Sequence, residues 1–467
     1  MAVQTEGAPI LEWDDWQLNA VDVAVKRKKV GLFAEMGLGK TPVGCEFIDR
    51  VNPSSCMIVV PKKALIGWRK RMRDWWPHLL EKFVFIYDKN KEKRHGLWKK
   101  NPPFVVTTID WFRRDKALMR GSYNMELYDE THKYLRNRKT KTFEQMCERN
   151  PEYLMLISGS PTSSDTWQFW PSLFLINPKL FRSYWRFVNT FCTVVENPWG
   201  QREIVGPKNL PALQAVLRQH FIIVRKSDIA KQKGEKPKKR RQFIDVEMTE
   251  PQREAYEQMR DELYLELSDG TIMASQHEMG ASLRMRQLLC CPYIIDPGLG
   301  IGGGLTTILE ELIEMPIEDR HCIIFTPFRE AVHVIADQLV AWNVGVPVGK
   351  LMGGVDVEEQ DQILEKCKKE RGIIVSTILF GESWDYETAD KAFFLGYEPK
   401  PISNWQAEDR VDRRNNTNQL LRMMYVRNVG TYEEDVIDKL IIQGVHLNAI
   451  YDDKIRMKQV LKKRSAE

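Results

Sequence analysis

A short glycine-containing segment combines residue types that bind phosphate. In the stretch Leu32-Phe-Ala-Glu-Met-Gly-Leu-Gly-Lys-Thr41, Gly37 and Gly39 follow an apolar run, and Lys40 and Thr41 open a segment that suits a helix. Glycines let successive backbone N–H groups curl around a polyphosphate, and the helix N-terminus adds partial positive charge. In such a loop, Lys40 reaches the β- and γ-phosphates and the Thr41 hydroxyl ligates Mg²⁺. The pattern therefore predicts a binding loop for ATP between a buried strand and a helix.

An acidic pair further along the chain supplies groups that hydrolysis of a nucleotide requires. The acidic pair supports the assignment of the phosphate-binding loop. This support matters because Ala34 stands where the simplest form of the motif has its first glycine. Asp129 and Glu130 follow an apolar strand, so Asp129 can hold the metal through water and Glu130 can orient or deprotonate the attacking water. We expect His132 and Ser158, which ends another apolar strand, to couple the nucleotide site to other parts of the chain.

Gln17 lies in an amphipathic segment that precedes the loop. Its side-chain amide can match the Hoogsteen edge of adenine, and the alternative is an ordinary surface glutamine. The residue itself leaves both interpretations open.

Two arginines in the second half of the sequence suit the chemistry of phosphoryl transfer. Arg410 and Arg413 lie three residues apart, which places them on one face of a helix. Guanidinium groups stabilise the charge that develops on a γ-phosphate during transfer. The alternative is a helix that carries arginines on its surface for solubility.

Length and composition limit the classes of protein to which this chain can belong. With 467 residues it is longer than one hydrophobic core usually serves, so two or more domains are expected. The net charge of +5 is small, so any binding of nucleic acid must depend on the distribution of charge. The eight cysteines lack metal-site spacing and predict reduced core thiols. No signal-like segment or apolar run of ~20 residues is present, which predicts a soluble cytoplasmic protein without membrane contact.

Ordered blocks in both halves of the chain resemble the motifs of superfamily 2 helicases, and the SNF2 branch is the most similar. The blocks of the first half are AEMGLGKT, VVPKKALIGWRK, YDETHKYLRNRKTKT and ISGSPT. In the second half, residues 376–390 resemble the SNF2 pattern STxAGGxGxNLxxAD, and residues 406–416 resemble QAxDRxHRxGQ. The resemblance covers roughly residues 11–440, and its order favours the functional interpretation of Arg410 and Arg413 over the surface helix.

The resemblance implies an α/β fold with two RecA-like lobes, each a parallel sheet with helical insertions, and an ATP site in the cleft between them. It implies that Gln406 contacts the nucleotide, and that ATP and Mg²⁺ are the cofactors. It implies that Lys62, Lys63, Ser376 and Thr377 contact the backbone of a nucleic acid. The expected partner is duplex or branched DNA, bound without sequence preference by a monomer. Translocation polarity, biological pathway and partner proteins stay open.

The same resemblance places the domain boundaries. The first lobe is expected at residues 1–230, with a helical insertion at about 163–225. A linker and helical region is expected at 231–300, where a basic run predicts a solvated segment. The second lobe is expected at 301–467 and ends in a basic helix. A compact phage or bacterial type, without chromatin-reading or nuclease modules, is expected from this extent.

The sequence also departs from the SNF2 pattern at several positions, and it leaves rival functions to weigh. Ser383 and Asp385 replace a glycine and an asparagine of the pattern, and Asp412 replaces a histidine. The first rival is a strand-separating or branch-migrating helicase, although the sequence shows no wedge element. A P-loop kinase or metabolic ATPase is disfavoured by the motifs of the second half. A nucleic-acid-binding scaffold with an inactive ATP site is disfavoured by the intact set of site residues.

Overall fold

The structure is a computed structural model in two compact units. It describes residues 11–35, 37–62, 64–119, 121–135, 137–159, 166–196, 200, 202–226, 228–229, 239–275, 278–354, 357–380, 384–399, 401–413, 416, 418, 420–431 and 433–434. One unit lies within residues 1–235 and the other within residues 236–442. Each is an α/β structure on a parallel sheet, which confirms the predicted fold class of two parallel-sheet lobes.

The first unit is built on a seven-stranded parallel sheet. Its strands and those of one hairpin are β1 (Lys29–Ala34), β2 (Cys56–Val60), β3 (Val84–Ile86), β4 (Phe104–Thr108), β5 (Met125–Tyr128), β6 (Tyr153–Ser158), β7 (Cys192–Glu196), β8 (Arg202–Pro207) and β9 (Phe221–Val224). Its helices are α1 (Asp15–Arg27), α2 (Lys40–Val51), α3 (Ala64–Trp75), α4 (Pro77–Lys82), α5 (Lys91–Lys99), α6 (Ile109–Arg114), α7 (Lys141–Cys147), α8 (Phe169–Ile176), α9 (Tyr184–Phe191) and α10 (Leu210–His220). The strands lie in the order β3-β4-β2-β5-β6-β1-β9.

The apolar strands of this sheet form two cores, one on each face. Successive side chains of a strand point to opposite faces, so Leu32 packs in one core and its neighbour Phe33 packs in the other. All five residues of β2 are buried, as expected of a parallel strand covered by helices on both faces. The polar segments that follow the strands are thus confined to the ends of the sheet.

The insertion predicted as helical at about residues 163–225 is only partly helical. It contains α8, α9 and α10, but β7 and β8 form a separate antiparallel hairpin and β9 joins the main sheet. β9 can pair with β1 because Gly31 has no side chain. A Cβ at Gly31 would lie 2.5 Å from Cδ1 of Phe221. Most of the aromatic residues of this region are buried or half-buried, and they pack in a core of the first unit.

The second unit is built on a six-stranded parallel sheet. Its strands and those of one hairpin are β10 (Lys239–Val246), β11 (Tyr264–Glu266), β12 (Ile272–Ala274), β13 (Cys322–Thr326), β14 (Val348–Leu351), β15 (Ile373–Thr377), β16 (Lys391–Leu395) and β17 (Leu421–Asn428). Its helices are α11 (Glu250–Glu262), α12 (Glu278–Cys290), α13 (Gly303–Glu314), α14 (Arg329–Ala341), α15 (Val357–Lys369) and α16 (Pro401–Glu408). The strands lie in the order β10-β17-β16-β13-β15-β14, and β11 pairs with β12.

The second unit begins earlier in the chain than the predicted boundary at residue 301. Residues 239–246, expected within a linker and helical region, form the edge strand β10 and pair in parallel with β17 along their whole length. The structure therefore assigns this part of the basic run to the sheet. The rest of that run, at 231–238, and the predicted C-terminal basic helix lie outside the described residues.

Two sequence-based expectations concern membranes and thiols. Within the described ranges, none of the helices has the length and apolar character needed to cross a membrane. All eight cysteines are free, and all but Cys147 are buried. Burial raises the pKa of Cys322 to about 12, so this thiol is neutral and unreactive.

A carboxyl group is buried where the chain leaves β17. Glu433 is 4% exposed, and its Oε2 accepts hydrogen bonds from the backbone N (3.0 Å) and Nδ2 (2.9 Å) of Asn428. Burial raises the pKa of Glu433 to about 7, although the hydrogen bonds from Asn428 and the charge of Arg286 oppose this shift. Since the ordinary value is 4.5, the carboxyl group holds its proton in the folded unit at a pH where the unfolded chain has released it.

The stability of the second unit should depend on pH through Glu433. Its contribution is fully present below pH 4.5 and is lost as pH rises through about 7, on the order of 3 kcal/mol in total. The Glu433→Gln variant lacks this loss, so its stability relative to the wild type should be greater at pH 8 than at pH 5. Denaturant unfolding at the two pH values measures the difference. The half-buried neighbour variant Glu434→Gln is the control, and an equal shift in both variants would contradict the assignment.

Candidate nucleotide-binding and catalytic site

Three adjacent strands bring the predicted nucleotide-binding segments of the first unit together. β6 pairs with β1 on one side and with β5 on the other. The phosphate loop follows β1, the acidic pair follows β5, and Ser158 ends β6. Because carboxyl ends of parallel strands meet at one edge of the sheet, these segments lie side by side, although they are distant in sequence.

The loop after β1 has the backbone geometry that phosphate binding requires. Gly37 and Gly39 have φ values of +83° and +81°, and α2 begins at Lys40 directly after Gly39. The Nζ atom of Lys40 donates to the carbonyl oxygens of Ala34 (2.9 Å) and Glu35 (3.4 Å). The ammonium group therefore lies over the loop itself, where the positive helix N-terminus adds to its charge.

Gln17 braces this loop from α1. The residue is 2% exposed, and its Nε2 donates to the carbonyl oxygens of Leu38 (3.1 Å) and Gly39 (3.2 Å). Its Oε1 accepts a hydrogen bond from the backbone N of Asp14 (2.9 Å), which caps α1. A Cβ at Gly39 would lie 2.6 Å from Nε2 of Gln17, so only glycine fits here. The structure thus shows a contact with the loop, and the predicted contact with adenine stays a prediction.

In the acidic pair after β5, Asp129 is buried, Glu130 is half-buried, and both side chains have close partners. Oδ2 of Asp129 accepts a hydrogen bond from Nε1 of Trp68 (2.8 Å), and Oδ1 accepts one from the backbone N of Glu130 (2.9 Å). Glu130 has a φ of +50°, a left-handed conformation that residues with a side chain rarely adopt. Its Oε2 lies 3.2 Å from Nδ1 of His132. The strained backbone therefore directs Glu130 and Asp129 to different partners.

The two carboxyl groups have opposite pKa shifts. Burial and the neighbouring charge of Glu130 raise the pKa of Asp129 to about 6, although Trp68 and Lys40 favour its charged form. Burial also disfavours the charge of Glu130, but the hydrogen bond and charge of His132, with Lys40, lower its pKa to about 2. Glu130 is thus a carboxylate at neutral pH, as a residue that orients or deprotonates water must be.

His132 links the acidic pair to the end of β6. Its Nδ1 lies 2.8 Å from Oγ of Ser158 as well as close to Glu130. Both His132 and Ser158 are buried. The structure thus joins the two residues predicted to couple the site, although the coupling itself stays a prediction.

The residues at this edge fit a Mg²⁺ ion bound together with a nucleotide. Asp129 is a buried carboxylate whose negative charge is incompletely compensated, as its raised pKa indicates, and a cation would stabilise that charge. Thr41 lies in the first turn of α2 with its side chain half-exposed. The described ranges contain no cluster of three or more His, Cys, Asp and Glu side chains suited to a metal. This is expected of Mg²⁺, which is commonly held by one or two protein groups, water and substrate phosphates.

Trp68 is a site residue that the sequence reasoning missed. Trp68 is 1% exposed and packs in the core, but its N–H also donates to Asp129. The sequence did contain a signal for this role. Trp68 lies about one turn into α3, and α3 follows the end of β2 at the sheet edge that carries the site.

The predicted arginines of the second unit follow α16, which ends at Glu408, so the prediction that they lie on one face of a helix is wrong. Both contact the segment after β15. Arg410 is 2% exposed, its Nη1 donates to the carbonyl oxygen of Trp384 (3.3 Å), and its guanidinium carbon lies 5.0 Å from the centre of the Trp384 ring. Arg413 forms an ion pair with Asp385. Gln406, in α16, is half-buried. Their predicted roles toward a nucleotide stay predictions.

A buried ion cluster holds α16 to the start of the second unit, and the sequence reasoning missed it. The side chain of Glu408 is completely buried and pairs with Nε of Arg241 (2.5 Å), Nζ of Lys239 (3.0 Å) and the hydroxyl of Tyr425 (2.8 Å). Burial disfavours the charge of Glu408, but Lys239 and Arg241 lower its pKa to about 2. The expectation of a solvated basic run is therefore incomplete for Lys239 and Arg241: their side chains are 24% and 43% exposed, but their charges pair with a carboxylate from a distant segment.

The residues predicted to contact nucleic acid differ in their exposure to solvent. Lys62 is exposed beyond β2, and Lys63 lies outside the described residues. Ser376 is completely buried, and its Oγ donates to the carbonyl oxygen of Thr377 (3.3 Å). Thr377 ends β15 and is half-buried. Lys62 is accessible to a phosphate backbone, whereas Ser376 would need its surroundings to rearrange.

Comparison with known proteins identifies the relatives of this chain. A family profile described as SNF2-related domain matches residues 16–294, and one described as helicase conserved C-terminal domain matches residues 305–415. The chain is 24% identical over 455 residues to a probable chromatin-remodeling complex ATPase chain of Oryza sativa, covering 91% of this chain and 40% of that protein. It is 22% identical over 470 residues to the human SWI/SNF-related matrix-associated actin-dependent regulator of chromatin subfamily A member 1, covering 94% of this chain and 43% of that protein.

A solved structure shares the fold. The helicase domain of Hef from Pyrococcus furiosus matches with a TM-score of 0.54 and 15% identity, over 90% of this chain and 97% of that chain. The chain spans about two fifths of the length of the curated relatives it matches.

Breaking the buried cluster at Glu408 should destabilise the second unit. Glu408→Gln leaves Lys239 and Arg241 without their carboxylate partner, and because these two side chains are 24% and 43% exposed, we expect the free energy of unfolding to fall by about 1.5–3 kcal/mol. Asp245→Asn is the matched control, because it removes a pair with Arg427 whose side chains are 52% and 26% exposed. That control should cost less than about 1 kcal/mol. Denaturant unfolding at neutral pH measures both variants, and equal effects would contradict the importance of the buried cluster.

Proposed function

Because the chain belongs to the SNF2-related family, we propose that it is an ATP-dependent DNA translocase, in which ATP hydrolysis drives movement along duplex or branched DNA. The observation that carries this proposal is the convergence of the phosphate loop, Asp129–Glu130 and His132–Ser158 at the ends of β1, β5 and β6. A binding scaffold has no need of a buried carboxylate beside a phosphate loop. The expectation of a compact phage or bacterial type stays a prediction.

The chemistry proposed for the first unit uses groups that are already close together. Lys40 exchanges its neutral carbonyl partners for the charged oxygens of a triphosphate, which are stronger acceptors. Glu130 orients the attacking water or accepts its proton. Mg²⁺, held by Thr41 and Asp129, neutralises charge on the phosphate oxygens. In this proposal Gln17 supports the loop, and a contact with the base would require its amide to exchange one of its present partners.

The second unit contributes positive charge in this proposal. Arg410 and Arg413 stabilise the charge that develops on the γ-phosphate, and Gln406 contacts the nucleotide. Binding and hydrolysis would then alternately close and open a cleft between the two lobes. The motif order along the chain supports this role, because the block from Gln406 to Arg413 lies in the second unit, between β16 and β17.

DNA is proposed as the track on the basis of exposed charge and the printed names of the relatives. Lys62, Lys63 and Thr377 are proposed to contact phosphates, together with Ser376 after a rearrangement that exposes its hydroxyl. Phosphate contacts carry no base information, so binding is sequence-independent. Both relatives described above are named for chromatin, which favours duplex DNA. The proposed molecule acts as a monomer.

A strand-separating or branch-migrating helicase is the second candidate, and one structural observation favours it. The β7–β8 hairpin stands outside the main sheet of the first unit, and most of its described residues are exposed or half-exposed. Such a ribbon is suited to separating the strands of a duplex at a fork. An unwinding assay on a forked duplex discriminates the two functions, since a translocase that follows intact duplex does not release a long strand.

The first test of the proposed function concerns activation of water by Glu130 and binding of phosphate by Lys40. Glu130→Gln should retain ATP binding and lose turnover by ~10²-fold or more, whereas Lys40→Ala should impair both. Equilibrium binding of a nucleotide and steady-state ATPase rates separate the two effects. Undiminished hydrolysis by the Glu130 variant would refute its role as the residue that activates water.

The second test concerns the track. Duplex or branched DNA should stimulate the ATPase at least as well as single strands, and a triplex-displacement assay should show movement on intact duplex. Affinity should fall with salt by about one unit of log–log slope for each phosphate neutralised. Stimulation by single strands alone, with efficient unwinding of a tailed duplex, would favour the helicase instead.

A further inference from the structure

The guanidinium group of Arg413 is already neutralised within its own unit. Its partner is Asp385, which lies in the segment between β15 and β16. The Arg413 side chain is 11% exposed and that of Asp385 is 45% exposed. The pair is therefore open to solvent on the carboxylate side, so Asp385 can move away from Arg413 into water.

The segment that contains Asp385 also holds the second arginine. The indole ring and carbonyl oxygen of Trp384 contact the guanidinium group of Arg410, and the backbone N of Tyr386 donates to the carbonyl oxygen of Arg410 (2.9 Å). Three consecutive residues thus contact the arginine segment through both backbone and side chains. Arg410 and Arg413 are held to one short piece of chain.

The charges of this cluster are unbalanced. Burial and the neighbouring charge of Arg413 lower the pKa of Arg410 to about 9, which shows that the two guanidinium groups repel each other. Asp385 favours the charged form of Arg410 and also pairs directly with Arg413. Its carboxylate is thus a major source of compensation for the positive charge that the proposed function requires at the nucleotide.

The SNF2 pattern has asparagine at the position of Asp385. An asparagine side chain has nearly the same shape and can accept a hydrogen bond from Arg413, but it brings no charge. Orientation of Arg413 therefore does not require a carboxylate. Compared with the SNF2 pattern, the carboxylate of Asp385 adds a negative charge that neutralises Arg413.

We propose that Asp385 is a positioning residue that withholds Arg413 from the nucleotide, so that turnover is slow until this ion pair opens. The inference rests on the proposed role of Arg413 in ATP hydrolysis. A γ-phosphate must compete with Asp385 for the guanidinium group, and DNA-stimulated closure of the cleft would favour the phosphate. The pair thus sets the difference between basal and stimulated rates.

The test compares steady-state ATPase rates of variants with and without a linear duplex DNA. Asp385→Asn should raise the basal kcat roughly two- to fivefold and leave KM for ATP nearly unchanged, the size of effect expected when a partly exposed pair is lost. The DNA-stimulated kcat should stay near that of the wild type, so the stimulation ratio falls. Asp385→Ser should act in the same way, and it replaces the asparagine variant if that variant does not fold.

Matched controls separate this role from a structural one. Asp385→Glu keeps the charge and should restore a low basal rate. Asp245→Asn, which breaks the comparably exposed pair with Arg427, should leave the stimulation ratio unchanged. Adding Arg413→Ala to Asp385→Asn should remove the gain, because the released arginine is its source.

Two results would overturn the inference. One is a basal rate that is unchanged or lower in both Asp385→Asn and Asp385→Ser. The other is a gain that persists without Arg413. Failure of the proposed function is distinguishable from either, since the wild type would then show no ATPase activity with any DNA.

Discussion

Two adjacent carboxyl groups, one buried and one half-buried, impose the main physical constraint on the first unit. Asp129 and Glu130 repel each other, and burial disfavours both charges. The compensating groups come from separate segments: the Trp68 indole from α3, the His132 ring from the turn after β5, and the Lys40 ammonium from the phosphate loop. The acidic pair can persist only if these segments stay aligned, which the order β2-β5-β6-β1 of the sheet ensures.

The second unit also buries charged groups, in this case a carboxylate and a guanidinium group. Glu408 is completely buried, yet it stays a carboxylate because Lys239 and Arg241 surround it. Arg410, two residues further along, is buried with less compensation, and its pKa falls. The helix that leads to the arginines is therefore anchored by a strong buried pair, while the arginines themselves retain excess positive charge. An anion that reached them would relieve this imbalance.

In each unit, a positively charged side chain of the candidate site contacts groups of the same unit. Lys40 donates to backbone carbonyl oxygens of the phosphate loop, and Arg413 pairs with Asp385. These partners differ in strength, because a neutral carbonyl competes weakly with a phosphate and a carboxylate competes strongly. Under the proposed function, the phosphates of a nucleotide would displace the carbonyl oxygens from Lys40, whereas Arg413 would have to leave a carboxylate.

The sequence by itself determined the class of fold and the chemistry of the candidate site. Apolar runs predict buried parallel strands, and the residues that follow them must meet at one sheet edge. Side-chain partners between distant segments were decided only by the tertiary structure. The bond between Arg241 and Glu408 joins residues 167 positions apart, and that between Trp68 and Asp129 joins residues 61 apart. Sequence periodicity reports which face of an element is buried, but a basic run looks the same whether water or a buried carboxylate neutralises it.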